Sequence, residues 1–250
     1  MTADANQSNH ERQPNRAESI PGASLTIAER LKAQAYGLGF DLAGITALGV
    51  PDTAPQFDAW LAAGNAGNMA YLSDAGAELR RDARAPHPGA THALVVAMNY
   101  GGNEPPGPVA KYARGDDYHE ILREKLRELH RWLERETGLS INARPYVDSG
   151  PILERDLAQR AGLGWFGKNT CLINPKSGSF LFLASLFVEF PLEIDEPFEA
   201  DRCGTCTRCL DACPTHAITS PRVLDAKLCI SYLTIELREA IPEILRAPIH

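Results

Sequence analysis

Cys203-Gly-Thr-Cys206-Thr-Arg-Cys209-Leu-Asp-Ala-Cys213-Pro214 is the stretch on which the reading of this chain turns. Its spacing is C-x2-C-x2-C-x3-C-P. Cysteines three apart on a tight loop aim several sulfurs into one small volume, as a cube of iron and sulfide requires. In this pattern the first three thiolates hold one 4Fe-4S cluster, and the fourth, ahead of proline, reaches a second. Two C-x-x-C pairs can also hold zinc, and that alternative stays open. The third cysteine at the same spacing and the Cys-Pro ending favour iron–sulfur. Disulfides are disfavoured, because nothing in the sequence indicates secretion.

One further cysteine follows in Asp225-Ala-Lys-Leu-Cys229-Ile-Ser. Two clusters take four thiolates each. The region supplies Cys203, Cys206 and Cys209 toward one cluster, and Cys213 and Cys229 toward the other. The remaining ligands are expected in a second cysteine run, so the sequence reads as a fragment of a longer chain. The expected organisation is a disordered polar leader over 1–23, an α/β domain over 24–195 and an incomplete iron–sulfur module over 196–250.

With 250 residues, 44% of them hydrophobic, the chain has the make-up of an ordinary globular protein. Its formal net charge of −7 speaks against broad nucleic-acid binding, although a local basic face is compatible with it. No apolar run is long enough to cross a membrane; Phe180 to Phe190 reads as a buried strand. The amino terminus lacks the apolar core of a signal peptide. Cysteines grouped as ligands imply a reducing compartment, so a cytoplasmic location is expected.

Upstream of the cysteines, strands and helices alternate. Thr26-Ile-Ala-Glu29 is a capping box, and Ile27, Leu31, Ala35 and Leu38 recur at helical spacing up to Gly37 and Gly39. Strands are expected at 41–47, 91–100, 141–147 and 180–190, with a short helix around Phe57, Trp60 and Leu61. The long helix, 118–136, carries Ile121, Leu122, Leu126, Leu129, Trp132 and Leu133 on its apolar face and stops at Gly138. Pro151 suits the first turn of the next helix, which runs to Arg160. The fold class is therefore α/β (α+β), a mixed sheet covered by helices and followed by a ferredoxin-like module. No P-loop or G-x-G-x-x-G turn is present, so a Rossmann nucleotide site is not supported.

Asp148 stands at the end of a buried strand, in Asp148-Ser-Gly-Pro151. It reads equally as a helix N-cap and as a proton donor at the strand's carboxyl edge. The turn Gly164-Trp-Phe-Gly-Lys168-Asn169 reads as an ordinary tight loop or as a cradle for a flat cofactor edge. Cys171 is expected to be a small buried residue, and His119 and His130 to be helix-surface residues.

Several segments together resemble epoxyqueuosine reductase. They are Ala97-Met-Asn-Tyr100, Lys111-Tyr-Ala-Arg-Gly-Asp-Asp-Tyr-His119, Tyr146-Val-Asp148-Ser-Gly-Pro-Ile-Leu-Glu154-Arg155, Gly164 to Asn174, the cysteine run, and Lys227-Leu-Cys229-Ile-Ser-Tyr-Leu-Thr-Ile-Glu236. The resemblance covers residues 25–250, and Cys171 departs from it where an aliphatic residue is expected. It implies a domain that binds cobalamin and a module whose 4Fe-4S clusters feed electrons to the cobalt, reducing epoxyqueuosine in tRNA to queuosine. By the same resemblance Asp148 is the proton donor. Tyr71, Lys111, Arg155, Lys168, Asn169 and Ser231 contact the corrinoid, and Cys203, Cys206, Cys209, Cys213 and Cys229 hold iron. It further implies a low-potential electron donor of the flavodoxin or ferredoxin type, a monomer, and no membrane. Lys227, Arg238 and Arg246 are candidates for phosphate contact, or plain surface charges. Two other readings share these features: a ferredoxin-type electron carrier without catalysis, and a reductive dehalogenase-like enzyme acting on a small molecule.

Overall fold

The computed structural model describes residues 25–102, 105 and 107–247. The expected leader at 1–23 lies outside the described residues. In chain order the elements are α1 (Ile27–Gly37), β1 (Leu42–Ala47), α2 (Ala54–Ala62), α3 (Asp74–Arg80), β2 (His92–Asn99), α4 (Tyr118–Thr137), β3 (Ala143–Val147), α5 (Glu154–Arg160), β4 (Trp165–Phe166), β5 (Leu172–Ile173), β6 (Leu181–Val188), α6 (Arg208–Asp211), β7 (Ile218–Ser220), β8 (Val223–Leu224) and α7 (Glu243–Arg246). A π-helical turn, Tyr232–Glu236, precedes α7.

The main sheet has the order β1-β2-β6-β3. Its centre strands β2 and β6 are apolar on both faces, as strands covered on both sides must be. Leu94, Val96, Ala184 and Leu186 point to one face, where Leu31 and Ala35 of α1 and Leu122, Leu126, Leu129 and Leu133 of α4 close over them. Val95, Ala97 and Phe187 point to the other, under Leu157 and Ala158 of α5. All pairings within this sheet are antiparallel, not mixed as expected. Among the described residues no crossover brings two neighbouring strands into parallel.

Local signals in the sequence account for the helix ends. Thr26 and Glu29 exchange the two bonds of a capping box at α1. In α4, Asp117 accepts from the amide of His119, and Gly138 ends the helix in the left-handed conformation at φ 69°. Burying each α4 leucine contributes about 1.5–3 kcal/mol. The helix after β3 begins at Glu154, later than Pro151, and its cap position is Leu153, which makes no side-chain bond. Asp148 is therefore not an N-cap. Helix α3 was not anticipated, because its seven residues include a glycine and carry too little apolar pattern.

Ser185 sits in the middle of β6, fully buried, and its hydroxyl has no partner. A buried, unbonded hydroxyl costs stability. Ser185→Ala is expected to stabilise the fold by about 1 kcal/mol, measured as a rise in the denaturant midpoint at unchanged slope.

After β6 the chain runs across the outer margin of β1. The amide of Asp195 donates to Ile45 O at 2.9 Å, and the amide of Ile45 donates back to Asp195 Oδ2 at 2.8 Å. Lys32 pairs with the same carboxylate. Further on, the Phe198 amide donates to Gln159 O at 2.9 Å, and the Gln159 side chain donates to Phe198 O at 3.2 Å. The C-terminal part then packs on the α2 region. Trp60 Nε1 donates to Leu224 O at 2.5 Å, and the Ala226 amide donates to Asn65 O at 2.9 Å. Gly67 is at φ 59°, and a Cβ there would stand 2.7 Å from the Tyr232 phenol oxygen. That oxygen accepts the Asn68 amide at 3.0 Å.

Candidate functional site

A cleft of about 650 Å³ opens where α2, the end of α3, the loop after β3, the β4–β5 hairpin and the C-terminal part converge. Phe57, Trp60, Trp165 and Phe166 give it aromatic walls, and Arg80, Asp148 and Glu154 stand among its charged residues.

Asp148 leaves the end of β3 with φ 58°, in the left-handed region, which costs a non-glycine residue on the order of 1 kcal/mol. Its neighbours hold it there. The Asp148 amide donates to Glu154 Oε1 at 2.9 Å. Tyr118, at the start of α4, donates its phenol proton to Asp148 Oδ2 at 3.0 Å, and His119 Nε2 lies 3.3 Å from the same oxygen. Burial, followed by the charge of Asp148, raises the Tyr118 phenol well above its ordinary value, so it stays a donor. His119 Nδ1 is 2.7 Å from Asp117 Oδ1. With Nδ1–H directed at Asp117, a neutral imidazole offers Nε2 only as an acceptor. His119 is half-buried, set against Asp148 and not on the cleft lining itself. His130 likewise turns inward, with Nε2 2.7 Å from Ile141 O.

Glu154 is the second carboxyl here. Burial, and then the charge of Asp148, push it up to about 7. The folded chain therefore binds more protons than the unfolded one between the ordinary carboxyl range and pH 7. The stability linked to Glu154 is fully present below about pH 4.5 and is lost as pH rises through 7. Glu154→Gln is expected to remove that fall, on the order of 2 kcal/mol between pH 5 and pH 8. Denaturation curves of both proteins at the two pH values measure it, and an equal fall in both would count against the raised Glu154.

Asp156, next but one on α5, anchors the start of α2. Its Oδ1 accepts from the amide and hydroxyl of Thr53, both at 2.9 Å. Burial raises its carboxyl.

The β4–β5 hairpin touches both the cleft and the cysteine run. Trp165 lines the cleft, and its Nε1 lies 3.4 Å from Cys203 Sγ. Lys168 Nζ donates to Gly204 O at 2.6 Å and to Cys206 O at 3.0 Å. Asp201 accepts the Cys203 amide at 2.9 Å and pairs with Arg222 at 2.7 Å, while Arg222 Nε donates to Phe166 O at 3.1 Å. Burial acts upward on the Cys213 thiol, but amide donors, Ala217 at 3.2 Å among them, outweigh it and bring the thiol down. N–H groups directed at cysteine sulfur favour the thiolate and are the usual setting of an iron–sulfur cluster. Among the described residues no three His, Cys, Asp or Glu side chains gather where a single metal ion could sit.

Of the residues expected from sequence, Asp148, Tyr71 and Arg155 meet at the cleft. Tyr71 donates to Glu236 Oε1 at 3.1 Å, and Arg155 Nη1 donates to Thr170 O at 2.5 Å. Lys111, Lys168, Asn169 and Ser231 are not on its lining. Lys111 donates to Gly102 O at 2.6 Å and lies over the Phe180 ring. Lys168 holds the cysteine loop, and Asn169 accepts the Cys171 amide at 3.2 Å. Ser231 caps the π-helical turn without a side-chain bond. Cys171 is half-buried, and burial raises its thiol. Lys227 and Arg246 donate to backbone carbonyls of Gly64 and Ile241, and Arg238 borders a second, smaller cleft beside Tyr71. Glu154 and Arg80 were missed because single charged residues in short helices carry no pattern.

Two family models match the chain: "Epoxyqueuosine reductase QueG, DUF1730" over residues 80–149, and "4Fe-4S double cluster binding domain" over residues 202–250. The chain is 44% identical over 220 residues to the epoxyqueuosine reductase of Cyclobacterium marinum, covering 85% of this chain and 70% of that one. It is 42% identical over 233 residues to the Escherichia coli protein of that name, covering 88% and 60%. It superposes with a TM-score of 0.77, at 32% identity, on a crystal structure of epoxyqueuosine reductase with an epoxyqueuosine-modified tRNA stem loop, again covering 88% and 60%. The chain thus spans less than two thirds of the last two proteins.

Proposed function

Because the chain belongs to the epoxyqueuosine reductase family, we propose that it takes part in reducing epoxyqueuosine in tRNA to queuosine, with Asp148 as the proton donor. The observation that carries this reading is Asp148 itself. It is a carboxyl at the rim of an aromatic cleft, held in left-handed backbone by Glu154, with Tyr118 and His119 on one oxygen.

The reaction sets the requirements. Turning an epoxide into an alkene takes two electrons and two protons and releases the oxygen as water. The oxygen must be protonated as its bond to carbon breaks, which is general acid work. Asp148 presents Oδ2 beside His119 Nε2, and Tyr118 fixes the carboxyl's rotation. Glu154 fixes the backbone that carries it.

The residues present suit both cofactors of this reading. The cysteine donor set, its N–H···S contacts and the Lys168 tether fit 4Fe-4S clusters held by Cys203, Cys206, Cys209, Cys213 and Cys229. The cleft, with flat aromatic walls and a polar rim at Tyr71 and Arg155, fits one edge of a corrinoid. When bound, the corrinoid supplies electrons to the epoxide carbon. Lys111, Lys168, Asn169 and Ser231 are kept as proposed corrinoid contacts beyond the cleft, and the division at residue 195 as the proposed boundary between the two parts.

No helix among the described residues is long and apolar enough to cross a membrane. We place the protein in the cytoplasm, as a monomer served by a low-potential donor of the flavodoxin or ferredoxin type. Anaerobic incubation of the reconstituted protein with cobalamin, reductant and an epoxyqueuosine stem loop is expected to yield queuosine, read by mass spectrometry of the nucleosides. Protein that carries clusters yet takes up no corrinoid would reduce the reading to a ferredoxin-type carrier.

A further inference from the structure

Arg80, the last residue of α3, is 8% exposed and lines the cleft. One of its nitrogens, Nη1, donates to the carbonyls of Tyr71 at 3.1 Å and Gly76 at 2.9 Å. These bonds use a single corner of a group that has five donors. Nε and Nη2 make no bond among the described residues, and they are not among the polar atoms sealed from solvent. The edge they form is open to the cleft. No carboxylate among the described residues pairs with it; Glu154 acts on it only through space.

A buried cation without a counter-ion costs several kcal/mol, and burial already lowers the hold of Arg80 on its proton. Glu154, itself pushed up to about 7, is an incomplete counter-charge. Holding two carbonyls needs only a neutral donor, so the charge is unexplained by the fold. The Nε–Nη2 edge of a guanidinium matches two oxygens of one anion. The proposed reactants narrow the anion: the nucleotide tail of cobalamin and the RNA backbone both carry phosphodiesters, and neither carries a carboxylate.

We propose that Arg80 is a phosphate-binding residue inside the cleft, taking two oxygens of a phosphodiester on its Nε–Nη2 edge. The choice of phosphate rests on the proposed function; the open guanidinium edge does not.

The test titrates inorganic phosphate into the reconstituted protein at constant ionic strength. The readout is tryptophan emission, because Trp60 and Trp165 line the cleft. Wild type is expected to saturate, with Arg80→Gln binding at least roughly tenfold more weakly and Arg80→Lys falling between. Three further probes locate the source. Weaker binding of cobalamin by Arg80→Gln, with binding of phosphate-free cobinamide unchanged, assigns the phosphate to the corrinoid tail. Weaker binding confined to a tRNA anticodon stem loop assigns it to the RNA. Either result supports the proposal. Folded Arg80→Gln, with unchanged circular dichroism, that binds phosphate, cobalamin and stem loop as wild type does overturns it. Should Arg80→Gln not fold, Arg80→Lys decides: it keeps a donor for the two carbonyls but lacks the two-nitrogen edge, and unchanged affinities there overturn the proposal. Wild type that binds neither corrinoid nor stem loop defeats the proposed function, while the inorganic phosphate titration still decides Arg80.

Discussion

Asp148→Asn is expected to leave corrinoid uptake intact and to slow epoxide reduction by about 10²–10⁴-fold. The amide is the same size as the acid and keeps an acceptor for Tyr118, so the local fold has no reason to change. What it lacks is a proton to give. The Asp148 backbone bond to Glu154 does not involve the replaced atoms, so the loop should keep its left-handed turn. Asparagine tolerates that conformation as well as aspartate does. The measurements are single-turnover conversion of an epoxyqueuosine stem loop and the corrin absorbance of the reconstituted variant. Turnover within a few-fold of wild type would remove Asp148 from the chemistry. Lost corrin absorbance would make it a binding residue.

Gly164→Ala should cost about 2–4 kcal/mol of stability and, unlike an ordinary core defect, should impair both halves of the site together. A Cβ on residue 164 would stand 2.2 Å from the Ile173 carbonyl oxygen, inside the β4–β5 hairpin. That neighbour is backbone and cannot rotate away, so the hairpin must open. Trp165 would then leave both the cleft wall and Cys203, and Lys168 would lose its hold on Gly204 and Cys206. The expected readout is a lower melting temperature with weaker cluster absorbance and weaker corrinoid binding in the same preparation. A variant that melts early but binds both cofactors normally would show that the hairpin is not the joint between them.

The sequence and the fold agree most closely where one local pattern decides the structure. The Thr26 capping box, the α4 leucines and Gly138 are read correctly because their effects stay within one or two helical turns. The apolar runs of β2 and β6 announce buried strands, but not that their neighbours lie antiparallel. Pairing direction depends on connections, and no single strand carries that information. At the proposed site, Asp148 stands out in the sequence by its place at a strand end, and the cysteines by their spacing. Tyr118 and His119 were hidden because helical periodicity assigns the first turn of α4 to the surface. Only the fold brings the end of β3 beneath it. Lys168 stands out in the sequence and is proposed for the corrinoid; its partners in the fold are carbonyls of the cysteine loop, a contact across 36 and 38 residues that no local pattern encodes.

The run from Glu189 to Ala200 has no helix or strand of its own, yet it is stitched down at Asp195 and again at Phe198. Its stitches fall on β1 and α5, elements of the same layered body that shapes the cleft. Under the proposed function, donor and acceptor of each electron would therefore travel as one object, and their separation would be a fixed property of the chain instead of the outcome of two parts meeting. Thickening the solvent should slow the arrival of RNA while leaving the internal electron hop untouched.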